Sequence, residues 1–309
     1  MSMDETGLAS KWIVEHFTQH SMTCHAVKKF IRTAKTNCQN VEIVDTCLYG
    51  KCLFLDGKLQ SSELDEFIYH ESLVHPALTV HPSPKEILVI GGGEGATLRE
   101  ALRHPMVVQA HMIDVDEELV DLCKKHLTDF SKGAFDDPRA KLVFFDARKW
   151  LEENTKQWDV IIIDLPEPLR NSPACLLYTR EFYSTVLSRL REEGTAAVQA
   201  GTTHVGYNAL FANVNRTLRD VFPVVRAYHT FIPSYQLPWG FSLASKCWDP
   251  LCLDEETLEN RLHERKLIEL KHYSARCHRG MFNLPKYLEQ TIERDGKIID
   301  DENPYYWEA

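Results

Sequence analysis

From Glu86 onward the chain alternates short apolar runs with longer amphipathic stretches, and this pattern leaves few folds open. The runs read EILVIG, VVQAHMID, KLVFFD, DVIIID and TAAVQA. They are too continuous for strands with one wet face and too short for typical helices, which predicts a buried parallel sheet. Segments such as ATLREALRH and EELVDLCKKHL supply the crossover helices. Two late strands are expected in FPVVRAYHTFIP and GFSLASK, and a mostly helical tail follows, with LDEETLENRLHERK and LPKYLEQTIERDGK as its helices. The expected class is α/β, with a doubly wound sheet.

Upstream, residues 41–60 carry β-rich runs parted by Tyr49-Gly50 and ended by Asp56-Gly57, the turn chemistry of a hairpin. Residues 64–80 show helical spacing, and His81-Pro82-Ser83-Pro84 then punctuates the passage into the sheet. The expected organisation is a small N-terminal β-strand and hairpin domain over 1–63 and an α/β domain with a helical tail over 64–309. At 309 residues and 44% hydrophobic content, the chain can bury a substantial core. No apolar run approaches the roughly 20 residues that span a bilayer. The opening MSMDETGLASKW lacks the blocks of a signal peptide, and nine scattered cysteines without a CxxC pair suit a reducing compartment, so a cytoplasmic protein without membrane contact is expected. A net charge of -10 disfavours nucleic acid and suits a cationic small molecule.

In an open parallel sheet, ligands collect at the carboxyl ends of the strands, and here those ends are acidic. Glu94 follows the first run, Asp114 ends the second, Asp146 follows the third and Asp164 ends the fourth. One such acid is as readily a helix cap, but four in register point to a site. Gly91-Gly92-Gly93-Glu94-Gly95 lies between a strand and a helix. It parses as GxGxG, the S-adenosylmethionine form, or as the GxGxxA of a dinucleotide site ending at Ala96. Asp114 could accept from ribose hydroxyls in either case, and Asp146 from an adenine amino group. Glu94 separates them, because it places negative charge where a pyrophosphate would sit. Many S-adenosylmethionine sites carry an acid two residues before the first glycine, where this chain has Val89. An acid inside the turn repels the carboxylate of intact S-adenosylmethionine and attracts a bare propylamine.

The segments LDGKLQSSELDEFIYHESLVHPAL, VIGGGEGATLRE and MIDVDEELV, with LLYTREFY, IPSYQLPWGF and NPYY, run in an order that resembles the polyamine aminopropyltransferase family. YHE at 69–71 and GGGEGAT are most similar to thermospermine synthases and bacterial triamine or agmatine aminopropyltransferases. The resemblance implies a Rossmann-like S-adenosylmethionine-binding sheet and transfer of the aminopropyl group of decarboxylated S-adenosylmethionine, a co-substrate, to a polyamine. Spermidine is the favoured acceptor, giving thermospermine or spermine; putrescine and agmatine are the alternatives. No prosthetic group or metal is implied, and a homodimer or homotetramer is.

Carried over position by position, the resemblance makes Asp164 the catalytic acid and Tyr69 its hydroxyl partner. Gln39, His70, Glu94, Asp114, Asp146 and Ala147 would line the donor pocket. Trp12, Glu15, Glu167, Gln199, Tyr235 and Trp239 would line the acceptor side. A gating loop is implied over 165–177. Where the family commonly has D-x-x-D-P, this chain has Asp164-Leu165-Pro166-Glu167-Pro168, longer at Glu167 by one carbon–carbon bond, roughly 1.5 Å. Two more distant readings are an amine N-methyltransferase, which would add CH2 in place of C3H7N, and a polyamine sensor, which would bind without releasing methylthioadenosine.

Overall fold

A computed structural model describes residues 11–18, 20–170 and 173–307. The N-terminal sheet is a five-stranded antiparallel meander: β1 (Trp12–Thr18), β2 (Ser21–Lys35), β3 (Asn40–Thr46), β4 (Gly50–Leu55) and β5 (Lys58–Ser62). Asp56 and Gly57 both take positive φ, so Leu55 pairs directly with Lys58 across a two-residue turn. The hairpin expected over 41–60 is therefore present as β3 to β5. The 15-residue β2 was not expected, because its mixture of lysines, threonines and apolar residues shows no clean alternation.

Helix α1 (Glu66–Val80) leads into the second sheet. Its strands are β6 (Glu86–Gly91), β7 (Gln109–Asp114), β8 (Ala140–Phe144), β9 (Trp158–Asp164), β10 (Leu190–Thr202), β11 (Val224–Ile232) and β12 (Leu237–Ser245). The spatial order is β11-β12-β10-β9-β6-β7-β8. From β10 to β8 all neighbours are parallel, as the apolar runs predict, whereas β12 pairs antiparallel with both β10 and β11. The crossovers are α2 (Ala96–Leu102), α3 (Glu117–His126), α4 (Thr128–Ser131), α5 (Ala147–Glu153), α6 (Arg180–Arg189) and α7 (Ala209–Val221). The tail adds α8 (Glu255–Glu264), α9 (Ala275–Phe282) and α10 (Lys286–Arg294).

Strand alternation builds two cores from one sheet. Ile161 and Ile163 of β9, with Leu88 and Ile90 of β6, pack towards Leu151, Phe182 and Leu210 of α5, α6 and α7. Val160 and Ile162, with Ile87 and Val89, face the opposite side, where α1, α2, α8 and α9 lie. Each of these side chains is fully buried, which stabilises the fold by about 1.5–3 kcal/mol apiece and explains why the runs are continuous. A third cluster docks Val41, Ile43, Leu53 and Leu55 of the meander onto Leu119, Cys123 and Phe130, so the small sheet sits over the β7–α3 corner.

Candidate active site

Strands β6 and β9 are neighbours from which the chain winds in opposite directions, and the crevice at their carboxyl ends is where a ligand fits an open α/β sheet. Two glycines make that crevice. Gly91 has φ +82, and a Cβ there would lie 2.1 Å from the carbonyl oxygen of Asp164, its register partner. The amide of Gly92 donates to the same oxygen at 3.1 Å. Gly95, at the N-cap of α2, also has positive φ, and a Cβ would strike the Phe135 ring at 2.5 Å. The turn is thereby clamped between the end of β9 and the 3-10 turn holding Phe135.

A cavity of about 380 Å³ opens above this turn. The four strand-end acids expected from the sequence, Glu94, Asp114, Asp146 and Asp164, all line it. Asp146 serves also as the N-cap of α5, accepting from the Lys149 amide at 3.1 Å, so cap and site coincide in one residue. Asp114 Oδ1 accepts from the Asp116 amide at 2.9 Å; burial nevertheless pushes its carboxyl up to about 7. Gln39 and Ala147 line the same end, and Gln39 Nε2 is anchored to Asp116 Oδ2 at 2.9 Å.

Asp164 sits at the centre. Tyr69 Oη donates to its Oδ1 at 2.7 Å, and the Thr97 hydroxyl donates to its Oδ2. Burial raises its pKa, with the nearby Glu94 charge adding to the rise and His70 opposing it. Beyond it, Gln199 Nε2 holds the carbonyl of Leu165 and the hydroxyl of Tyr178, while Trp239 Nε1 donates to Gln199 Oε1 at 3.2 Å. Tyr235 donates to the Gln60 carbonyl. These three side chains line the cavity.

Glu15 and Glu167 form the far end, flanking Lys58. Glu15 is placed there by the Leu59 amide, next to Lys58, and Glu167 by its place three residues beyond Asp164. Burial pushes Glu15 up to about 7 despite a bond from the Leu59 amide at 3.2 Å, and it also raises Glu167.

Two expected positions are not among the residues that line the cavity. His70 does not line the cavity; it is buried beneath it, with Nε2 on Glu94 Oε1 and Nδ1 on Glu66 Oε2, each at 2.9 Å. It acts on the site through Glu94. Trp12 lies on the edge strand β1, 49% exposed and away from the cavity lining. Of the loop expected over 165–177, residues 171 and 172 lie outside the described residues.

The sequence reading missed Thr97, Lys58, Phe17 and Trp307, all close to or in the cavity wall. It also missed a line of buried charges behind Glu94. Arg99 forks onto Glu66 at 3.0 and 2.8 Å and donates from Nε to Glu100 at 2.8 Å; Glu100 meets His75 at 2.9 Å, and His75 meets His104 at 3.0 Å. Burial works against charge on His70, yet its bonds to Glu66 and Glu94 bring it up to about 10; Glu66 comes down to about 2 because His70 and Arg99 outweigh its burial. His70, Glu94 and Asp164 place ligand atoms within 4.8 Å of one another, a spacing that suits a metal ion. A protonated imidazole with both nitrogens donating has no lone pair for one.

A doubly wound sheet with a glycine turn at its switch point, and acids where a phosphate cradle would be, is an open α/β fold with an acidic cavity at its strand ends. Residues 66–252 match the Spermine/spermidine synthase domain, and residues 11–63 match the Spermidine synthase tetramerisation domain. The polyamine aminopropyltransferase of Sulfurisphaera tokodaii is 39% identical over 293 residues, 95% of this chain and 97% of its own. Polyamine aminopropyltransferase 2 of Pseudomonas aeruginosa is 41% identical over 283 residues, 91% of this chain and 81% of its own. A crystal structure of a spermidine synthase in complex with the transition state analogue AdoDATO superposes with a TM-score of 0.85 at 30% identity, covering 95% of this chain and 98% of that one. The spermidine synthase of Thermotoga maritima gives 0.84 with the same identity and coverage. The chain belongs to the spermine/spermidine synthase family and is a polyamine aminopropyltransferase.

Proposed function

We propose that the enzyme transfers the aminopropyl group of decarboxylated S-adenosylmethionine to spermidine, giving thermospermine or spermine and methylthioadenosine. The observation that carries this is that six acids, Asp114, Asp146, Glu94, Asp164, Glu15 and Glu167, line one cavity, which we read as a donor half at Asp114 and Asp146 and an acceptor half at Glu15 and Glu167. In this reading Gln39, Asp114, Asp146 and Ala147 hold the nucleoside, and Glu94 receives the propylammonium. Glu15 and Glu167 hold the acceptor's unreactive ammonium groups.

A sulfonium is an activated donor, so the difficulty lies in the nucleophile. A primary amine with a pKa near 10.4 is neutral in only about one molecule in 2,500 at pH 7, a handicap of roughly 4–5 kcal/mol. The amine nitrogen attacks the methylene beside sulfur, the carbon–sulfur bond breaks with its electron pair going to sulfur, and the surplus proton passes to Asp164. Burial makes Asp164 a stronger base than an ordinary carboxylate. Its oxygens keep lone pairs for the amine after accepting from Tyr69 and Thr97, whose hydroxyls fix the carboxylate plane. Trp239 and Tyr235 cover the methylenes between the ammonium groups.

Putrescine is the second acceptor to weigh, because the two solved structures described above are spermidine synthases by title. Incubation with decarboxylated cofactor and an equimolar panel of putrescine, agmatine and spermidine tests the proposal, with chromatography that separates the spermine isomers. Spermidine should be consumed fastest and gain one C3H7N unit, with one methylthioadenosine released per product. A gain of CH2, or preference for putrescine or agmatine, would overturn it. The match of residues 11–63 supports a homo-oligomer, dimer or tetramer, and nine scattered cysteines without a CxxC pair suit the cytoplasm.

A further inference from the structure

The chain's last described residues run back to the cavity. Past α10 the backbone is pinned at successive points: Lys297 N donates to Asn213 Oδ1 at 2.8 Å, Ile299 N to Thr217 Oγ1 at 2.9 Å, and Arg148 forks onto Asp301 at 2.8 and 2.6 Å. The segment then crosses the chain that follows β9. Trp307 N donates to the Pro168 carbonyl at 2.8 Å, Trp307 and Leu169 form a one-rung parallel bridge, and the Arg170 guanidinium lies 5.0 Å over the Tyr306 ring. The Trp307 indole meets Phe17 of β1 edge-on at 5.3 Å, and Phe17 is braced in turn by Tyr207 at 5.3 Å. Phe17, Leu169 and Trp307 all face the cavity, with Trp307 only 9% exposed.

The two anchors of this indole adjoin the far carboxylates. Phe17 lies two residues beyond Glu15 and lines the same cavity, and Pro168 directly follows Glu167. We infer that Trp307 is the end wall of the acceptor half of the cavity and limits the length of amine that the enzyme accepts. The inference rests on the assignment of Glu15 and Glu167 to the acceptor. Each added aminopropyl unit lengthens an extended amine by about 5 Å, the reach of four covalent bonds, and an indole held between β1 and the segment after β9 stands in its way. Apolar walls discriminate well when a substrate is too long, since entering requires displacing packed rings.

The test compares wild type with Trp307→Ala and Trp307→Leu, the latter keeping apolar contact with Phe17 should the alanine variant fold poorly. For putrescine, spermidine and spermine as acceptors, kcat/KM is measured together with KM for the decarboxylated cofactor. Trp307→Ala should shift the spermine-to-spermidine ratio of kcat/KM by about tenfold or more towards spermine, the effect expected when a pocket wall is removed. Trp307→Leu should give a smaller shift in the same direction, and KM for the cofactor should stay unchanged in both. An unchanged acceptor ranking in active variants, or an equal loss for all three acceptors, overturns the inference alone. A rise in the cofactor's KM with the ranking intact would place Trp307 on the nucleoside and overturn both the inference and the assignment of the two ends. Failure of the wild-type enzyme to transfer to any acceptor removes the proposed function and this inference with it.

Discussion

Asp164 has the environment of a base: half-buried, close to Glu94, and oriented by two hydroxyls. Asp164→Asn keeps the shape and the hydroxyl contacts but loses proton affinity. We expect kcat to fall by about 10²–10⁴-fold with methylthioadenosine affinity nearly unchanged, as checked by steady-state rates and calorimetry. Near-normal turnover would remove Asp164 from the chemistry. The other carboxylates give a second expectation. Asp114 and Glu15 stand near 7 in the folded chain against ordinary values of 3.8 and 4.5, so between about pH 4 and pH 7 the folded state binds more protons than the unfolded one. The stability these groups contribute is fully present below the lower values and is lost as pH rises through 7. A cation beside Glu15 lowers its pKa and expels a proton, so spermidine should bind more tightly from pH 6 to pH 8. Calorimetry at pH 7 in buffers of differing ionisation enthalpy should register net proton release, and net uptake would contradict the placement of Glu15. At this scale the strand-end acids were legible because β-run, acid and turn are contiguous in the chain. Trp307 was not, since Pro168, Leu169 and Phe17 meet it only in space.

At the scale of elements, α1 and α2 are joined by charge. Each carries acids and bases on buried faces, and the line from Arg99 through Glu66 and His70 fixes Glu94 where the propylammonium is proposed to bind. Glu66→Ala would leave Arg99 and His70 buried without their shared carboxylate. Breaking one member out of a buried ion pair costs about 3–5 kcal/mol, so a fall in stability of that size is expected in denaturant melts. The same variant should raise KM for the decarboxylated cofactor more than it lowers kcat, because a loosened Glu94 binds the donor amine less well. Unaltered KM in a folded variant would reduce the line to scaffolding. The helical spacing of residues 64–80 showed in the sequence, but not the use of its polar positions, because an acid on a helix reads the same whether it meets water or Arg99. The antiparallel insertion of β12 between β10 and β11 was hidden for a related reason: alternation reports which faces a strand buries, not which way it runs.

At the scale of the molecule, β1 is the outer strand of the meander among the described residues. Among the described residues it pairs as a strand with β2 alone, and Trp12, Val14 and Met22 lie on one face of that ribbon because Trp12 pairs with Ala26, Val14 with Cys24 and His16 with Met22. Their exposures of 49%, 41% and 64% leave an apolar stripe on a strand edge, a surface that soluble proteins generally cover. It falls within residues 11–63, the part that matches the tetramerisation domain. We therefore expect Trp12→Asp with Val14→Lys to lower the solution mass, read by size-exclusion chromatography with light scattering. An unchanged mass would move the interface elsewhere, and a monomeric wild type would remove it. The same strand carries Glu15 and Phe17 into the wall of the cavity, where the acceptor is proposed to bind. A partner packed on β1 would brace both residues, so dissociation should raise KM for spermidine while methylthioadenosine, held from β6, β7 and α5, binds as before.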